Sequence, residues 1–276
     1  MTANRSFRVA AVQMNTQDNK DKNVDRAVEL IRSAAAQGAE FVALPENFNF
    51  LGPLSAQVDN AETIPGPTLS RLATEARAHG IYVAAGSILE AVDGKEKLYN
   101  TSVLLGPQGE QIARYRKLHL FDIEVEGQVQ ANESAIMAPG DEMVVAHASF
   151  AAIGMSICYD LRFPELYRSL TLSGAQIILS PAAFTLYTGK DHWELLIRAR
   201  AVENSVYMVA PAQFGKYSPA EHSFGNTMIV DPWGTVIARA PDREMAVVAD
   251  VDLAWQSTVR SSLPSLRSRR PDVYTL

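Results

Sequence analysis

Cys158 is the only cysteine in 276 residues. It closes the apolar run Ala151-Ala-Ile-Gly-Met-Ser-Ile157, and polar residues follow at once. Pro164 then opens a helical pattern through Leu166, Tyr167 and Leu170. A strand that stops on a cysteine and turns into a helix sets the thiol at a sheet edge, beside free backbone N–H groups. Those donors and the helix dipole favour a thiolate and can hold a developing oxyanion. Taken alone, a single cysteine after an apolar run reads first as a small buried hydrophobe. Two other residues shift that balance. Glu46 stands just past the apolar run 41–44, where open α/β sheets place ligands. Lys117 ends a strand in Arg114-Tyr-Arg-Lys-Leu-His-Leu-Phe121. Three strand ends thus offer an acid/base, a cation and a nucleophile, a set suited to covalent hydrolysis of a poor electrophile. A Cys–His hydrolase would need a histidine base. None of His79, His119, His147, His192 and His222 falls at a strand end facing Cys158: His119 points away from Lys117 by strand alternation, and His192 starts a helix.

The elements that carry these residues follow from periodicity and turn signals. Strands are expected over 7–14, 41–44, 81–87, 176–179, 206–210 and 246–251, and amphipathic helices over 23–37, 69–79, 164–172 and 191–204. Gly106-Pro-Gln-Gly109 and Asp231-Pro-Trp-Gly234 each join two strands into a hairpin, Tyr99–Leu105 with Gln111–Arg116 and 227–230 with 235–239. Stretches 144–148 and 151–157 form another antiparallel pair. Residues 51–68 read as a Gly/Pro-rich loop. Residues 117–140 read as a long, polar, irregular one, of the kind that carries function.

The two halves echo each other. Gly38-Ala-Glu-Phe-Val-Ala-Leu-Pro-Glu-Asn-Phe48 matches Gly174-Ala-Gln-Ile-Ile-Leu-Ser-Pro-Ala-Ala-Phe184 at an offset of 136, and the two hairpins match at 125. Glu46 meets Ala182 in this echo, so the repeat itself does not call for a carboxylate there. Two like sheets related by a pseudo-twofold, with helices outside, make a four-layer α-β-β-α sandwich, read as one domain over 1–276.

Composition allows such a core: 47% of the residues are hydrophobic and 20% charged. A net charge of −6, with no basic tract beyond Arg267, Arg269 and Arg270, argues against nucleic acid. One cysteine excludes an internal disulfide and any Cys-rich zinc site. No run of about eighteen apolar residues exists to span a bilayer, and Met1-Thr-Ala-Asn-Arg lacks a signal peptide's apolar region. A soluble, cytoplasmic protein is expected, so Asn100-Thr-Ser and Asn132-Glu-Ser count as chance glycosylation triplets.

Leu44-Pro-Glu-Asn-Phe48, Tyr115-Arg-Lys-Leu-His-Leu-Phe121 and Gly154-Met-Ser-Ile-Cys-Tyr-Asp-Leu-Arg-Phe-Pro-Glu165 together resemble, in order, the three signatures of the nitrilase (carbon–nitrogen hydrolase) superfamily. The resemblance covers nearly the whole chain. It implies a catalytic Glu46, Lys117 and Cys158, with a further glutamate on Glu133 (Glu133-Ser-Ala-Ile-Met-Ala-Pro139-Gly140) orienting either Lys117 or the substrate. It implies an oxyanion held by Lys117 and the Tyr159 backbone N–H, a thioester on Cys158, no metal and no organic cofactor. Pro181-Ala-Ala-Phe-Thr-Leu-Tyr-Thr-Gly-Lys-Asp-His-Trp-Glu194 resembles the Nit branch, the omega-amidases and deaminated-glutathione amidases. Segments after Ala210 lean toward the latter. Phe184, Thr185 and Thr188 in that stretch, and Arg162 four residues after Cys158, are then candidates to bind the substrate. Arg162 would clamp a carboxylate, or else pair with Glu165 or Asp160. Lys190-Asp191 departs from the branch pattern, which has a proline there. The implied partner is a small amide, with deaminated glutathione before α-ketoglutaramate, and the implied assembly is a homodimer or larger. A binding protein that keeps the hydrolase fold is the alternative of another class.

Overall fold

A computed structural model describes residues 6–219 and 221–274. Residues 1–5, which carry the expectation about a leader segment, and the last two residues of the tail lie outside that description.

The first half runs β1 (Ser6–Gln13), α1 (Lys20–Ala36), β2 (Phe41–Ala43), α2 (Leu54–Asp59), α3 (Pro67–His79), β3 (Tyr82–Ala84), β4 (Ile88–Glu90), β5 (Tyr99–Leu105) and β6 (Gln111–Arg116). A hairpin of β7 (Asp122–Val125) and β8 (Val129–Asn132) follows, then a 3₁₀ turn over Glu133–Ala135. The second half runs β9 (Val145–His147), β10 (Ala152–Met155), a 3₁₀ turn over Cys158–Arg162, α4 (Pro164–Leu172), β11 (Ile177–Leu179), α5 (Leu186–Asn204) and β12 (Tyr207–Ala210). After these come β13 (Phe214–Lys216), β14 (His222–Phe224), β15 (Met228–Val230), β16 (Val236–Arg239), β17 (Met245–Asp252) and α6 (Leu253–Ser262).

The echo is a topology. In one sheet β1, β2 and β3 lie parallel and β5 and β6 continue antiparallel; β17 flanks β1 and β4 flanks β5. In the other, β10, β11 and β12 lie parallel, β15 and β16 continue antiparallel, and β9 flanks β10. Strand alternation assigns the faces. Phe7, Val9, Ala11, Phe41 and Ala43 join the second sheet's residues in one core, while Ala10, Val12, Val42 and Leu44 pack beneath α1 and α3. With α4 and α5 outside the second sheet, the layers are α-β-β-α.

Local chemistry moved several boundaries. Asn19 caps α1 by accepting the Lys22 N–H, so the helix begins before the apolar periodicity does. Thr185 does the same for α5, which starts five residues before 191 and puts His192 in its interior. Lys190 and Asp191 therefore sit within the helix, paired with each other. The stretch 117–140 is more ordered than its polarity suggests: Ile123, Val125, Val129 and Ala131 alternate across a hairpin that turns at Gly127, where φ is +69°. The stretch 51–68 likewise holds α2, and α6, capped by Asp252, occupies part of the C-terminal tail. Among the described residues no helix is long and apolar enough to cross a membrane.

Candidate active site

The pseudo-twofold brings the echoing segments 45–48 and 181–184 side by side. Glu46 Oε2 accepts the Ala183 N–H at 2.8 Å, so one half supplies the acid and the other the donor that anchors it. Glu46 Oε1 accepts from Asn100 Nδ2 at 2.9 Å and from Lys117 Nζ at 3.0 Å. Lys117, carried just past β6, is almost wholly buried. Its Nζ also reaches both oxygens of Glu133 at 2.9 Å, and Glu133 is held in turn by the Phe121 N–H at 2.8 Å. Of the two roles open to Glu133, the geometry shows the grip on Lys117.

Cys158 begins the 3₁₀ turn after β10 with φ at +47°, a left-handed conformation that L-residues adopt at a cost. Its N–H bonds to Pro181 O at 2.9 Å, and its thiol is close enough to Glu46 and Lys117 to feel both charges. Burial, and after it the Glu46 charge, push the thiol well above the ordinary cysteine value, with Lys117 pulling only partly the other way. These influences favour the thiol over the thiolate, the opposite of what the backbone donors and the helix dipole alone would do. The reason is that an anion on sulfur would lie next to the Glu46 side chain in a low-dielectric setting, where like charges repel strongly. Burial alone would pull Lys117 down, but Glu133 and Glu46 outweigh it and hold the ammonium well above the usual lysine range.

Behind the thiol, Asp160 is fully buried and ties the nucleophile turn to the lysine segment. It accepts from the Ile157 N–H at 2.8 Å, the Tyr115 hydroxyl at 2.6 Å and the His119 N–H at 3.0 Å, and it meets His119 Nδ1 at 2.7 Å. Burial and the Asp160 charge push Tyr115 well above its ordinary value, so its hydroxyl stays a donor. His119 stacks on Phe163, ring centroids 3.6 Å apart, and takes no place beside Cys158. Sequence reasoning missed Asn100, Asp160, Tyr115 and Ala183. Asp160 and Tyr115 lie inside the quoted motifs and could have been singled out, whereas nothing local marks Asn100 or Ala183.

Arg162 pairs with neither Asp160, which is already engaged, nor Glu165. Its guanidinium lies 5.3 Å from the Phe184 ring centroid and 5.8 Å from that of Tyr159, with His192 Nδ1 at 3.3 Å, and among the described residues it meets no carboxylate. Phe184 is buried against Trp193. Thr185 and Thr188 are turned to the α5 N-cap, their hydroxyls 2.9 Å apart.

The carbon-nitrogen hydrolase family model matches residues 8–260. The chain belongs to the carbon-nitrogen hydrolase family. It is 42% identical over 268 residues to a deaminated glutathione amidase of Synechocystis sp., covering 96% of this chain and 98% of that one. It is also 42% identical over 275 residues to the omega-amidase NIT2 of Homo sapiens, with 98% of each covered. The C. elegans NitFhit protein superposes with a TM-score of 0.93 at 38% identity over 98% of this chain, which spans 66% of that longer protein. The first two relatives are amidases, and the Nit-branch resemblance is borne out. Since both kinds of amidase match at equal identity, the comparisons do not rank the two substrates.

Proposed function

We propose that this single-domain hydrolase cleaves a small omega-amide through a thioester on Cys158. The observation that carries the reading is the buried Glu46, hydrogen-bonded to the Lys117 ammonium at 3.0 Å and close enough to the Cys158 thiol to shift it. As sulfur attacks the amide carbon, the thiol proton passes to Glu46. The oxyanion forms against Lys117 and the Tyr159 N–H. Glu46 returns the proton to the departing nitrogen, so ammonia leaves and the acyl group stays on sulfur. Glu46 then takes a proton from water, hydroxide adds to the thioester, and the thiol is regenerated with release of the acid. Glu133 keeps Lys117 in place throughout. A cytoplasmic location belongs to the same reading, because a nucleophilic thiol is at risk in an oxidising compartment.

Arg162, without a carboxylate partner among the described residues and set near two aromatic rings, supports a substrate whose far end is an α-keto carboxylate. The substrate preference proposed is deaminated glutathione over α-ketoglutaramate, with Phe184 as an apolar wall and the Thr185–Thr188 cap fixing the segment that carries it. Arg162→Ala should lower kcat/KM for both α-keto acids by about 10²-fold or more, and leave a simple aliphatic amide nearly unchanged. Ammonia release measured on all three settles it. Equal wild-type rates on the simple amide would make the pocket a general amidase, and a wide lead for α-ketoglutaramate would reverse the preference alone.

A homodimer or larger assembly is part of the proposal. Leu166 and Leu170 are buried and Leu196 packs on the core, so these three form the inward stripe of α4 and α5 and offer no surface to a partner. Outward, Leu195 and Val202 share a face of α5, and Arg198 Nε bonds Gly234 O beside the exposed Trp233. Such a patch favours burial against a second copy. Light scattering at micromolar concentration should give at least twice the 30.1 kDa chain mass, and a mass at the monomer value would contradict it.

A further inference from the structure

Asn100 heads a triplet that reads as a chance glycan acceptor, and the structure buries it at 1% exposure on β5. Its backbone carbonyl accepts the Lys117 N–H at 2.9 Å, while its side-chain Nδ2 donates to Glu46 Oε1 at 2.9 Å. One residue therefore holds the lysine's main chain and the carboxylate that the lysine's ammonium meets. The neighbouring pairs are fixed as well: Thr101 donates to Glu90, and Glu90 takes the Arg116 guanidinium at 2.7 and 2.8 Å.

A carboxylate oxygen offers two lone pairs. On Glu46, Oε1 has both committed, to Asn100 and to Lys117, whereas Oε2 has one committed, to Ala183. The geometry points to Asn100 as a positioning residue that closes Oε1 and directs the Cys158 proton to Oε2. This role rests on the proposed part of Glu46 in proton transfer. The fold gives a weaker reason for an amide here. Asn100 Oδ1 is buried and meets no hydrogen-bond donor among the described residues, so leucine, similar in size, would satisfy the packing without an unspent acceptor.

The test compares Asn100→Leu, Asn100→Asp and Glu46→Gln with wild type, by ammonia release from α-ketoglutaramate, or from deaminated glutathione where the wild type prefers it. Asn100→Leu should lose about 10²-fold in kcat with KM within about twofold, and melt no earlier than wild type. Asn100→Asp keeps the shape but faces Glu46 with a like charge at neutral pH, and can donate only when protonated. Its kcat optimum should therefore move to lower pH, a change that a merely structural asparagine would not produce. Wild-type kcat in Asn100→Leu, or a wild-type pH profile in Asn100→Asp, overturns the inference. If the leucine variant melts early, the aspartate profile decides. An inactive Glu46→Gln beside a fully active Asn100→Leu defeats this inference alone, whereas an active Glu46→Gln defeats the reading of Glu46.

Discussion

Cys158→Ala should cut ammonia release on the order of 10⁴-fold while leaving circular dichroism and melting unchanged. The structural cost is small because the left-handed backbone at Cys158, φ +47°, is no harder for alanine than for cysteine. The chemical cost is the whole covalent route, since no other cysteine exists to replace it. Cys158→Ser should be nearly as poor, because an alkoxide is harder to make than a thiolate and Glu46 is only a carboxylate. Wild-type protein quenched during turnover should carry the acyl mass, and the alanine variant should not. Substantial turnover in Cys158→Ala would remove thioester catalysis from consideration. The upward push on the thiol adds a second observable. Iodoacetamide labelling should be slow at neutral pH and still climbing above about pH 9, past the ordinary cysteine range. A plateau near pH 7 would mean a resting thiolate.

The sequence located the reacting groups better than the groups that hold them. Glu46 and Cys158 sit where an apolar run breaks and Lys117 where a hairpin strand ends, and such breaks are visible in one dimension. The hairpin Tyr99–Leu105 with Gln111–Arg116 and the helix Pro164–Leu172 coincide with their expected bounds, because Gly-Pro-Gln-Gly and a leading proline mark the ends without tertiary help. Helix α5 was legible only in part. Its first turn, Leu186-Tyr-Thr-Gly-Lys190, carries two exposed apolar residues and a glycine that a Cβ would drive into Phe224, so tertiary packing rather than periodicity sets its start. Asp160 shows the other limit. Its side chain gathers Tyr115, His119 and Ile157, over forty residues apart in sequence for the first two, and only the pairing of the two halves creates that arrangement. The faces of α5 show the same limit: Leu195 is exposed and its neighbour Leu196 packs on the core, and leucine alone does not say which face of a helix the sheet has taken.

Lys117→Met should be inactive and destabilised, and the two losses should separate with pH. Methionine keeps the length and removes the charge, leaving Glu46 and Glu133 facing each other without the cation both now touch at 2.9–3.0 Å. Breaking a buried pair from one side costs about 3–5 kcal/mol, most of it from the charge left behind. In the variant, a carboxylate cut off from its cation titrates higher in the folded than in the unfolded chain. A group of that sign contributes its stability below the unfolded carboxylate value, near pH ~4, and loses it as pH rises through the folded value. The melting deficit against wild type should therefore be small in acid and grow toward neutrality. Wild-type Lys117 adds no slope over that window: its raised value leaves it fully charged until above about pH 10. Turnover should stay lost at every pH, including acid where the fold is recovered, because the oxyanion has lost its cation. Lys117 also draws the thiol downward, so alkylation of Cys158 should slow at each pH. An unchanged alkylation rate would confine Lys117 to the oxyanion, and turnover returning together with stability in acid would make it a structural cation. Lys117→Arg should restore melting more than turnover, because a planar guanidinium can meet two carboxylates but cannot converge three donors on Glu46, Glu133 and the oxyanion as the ammonium does.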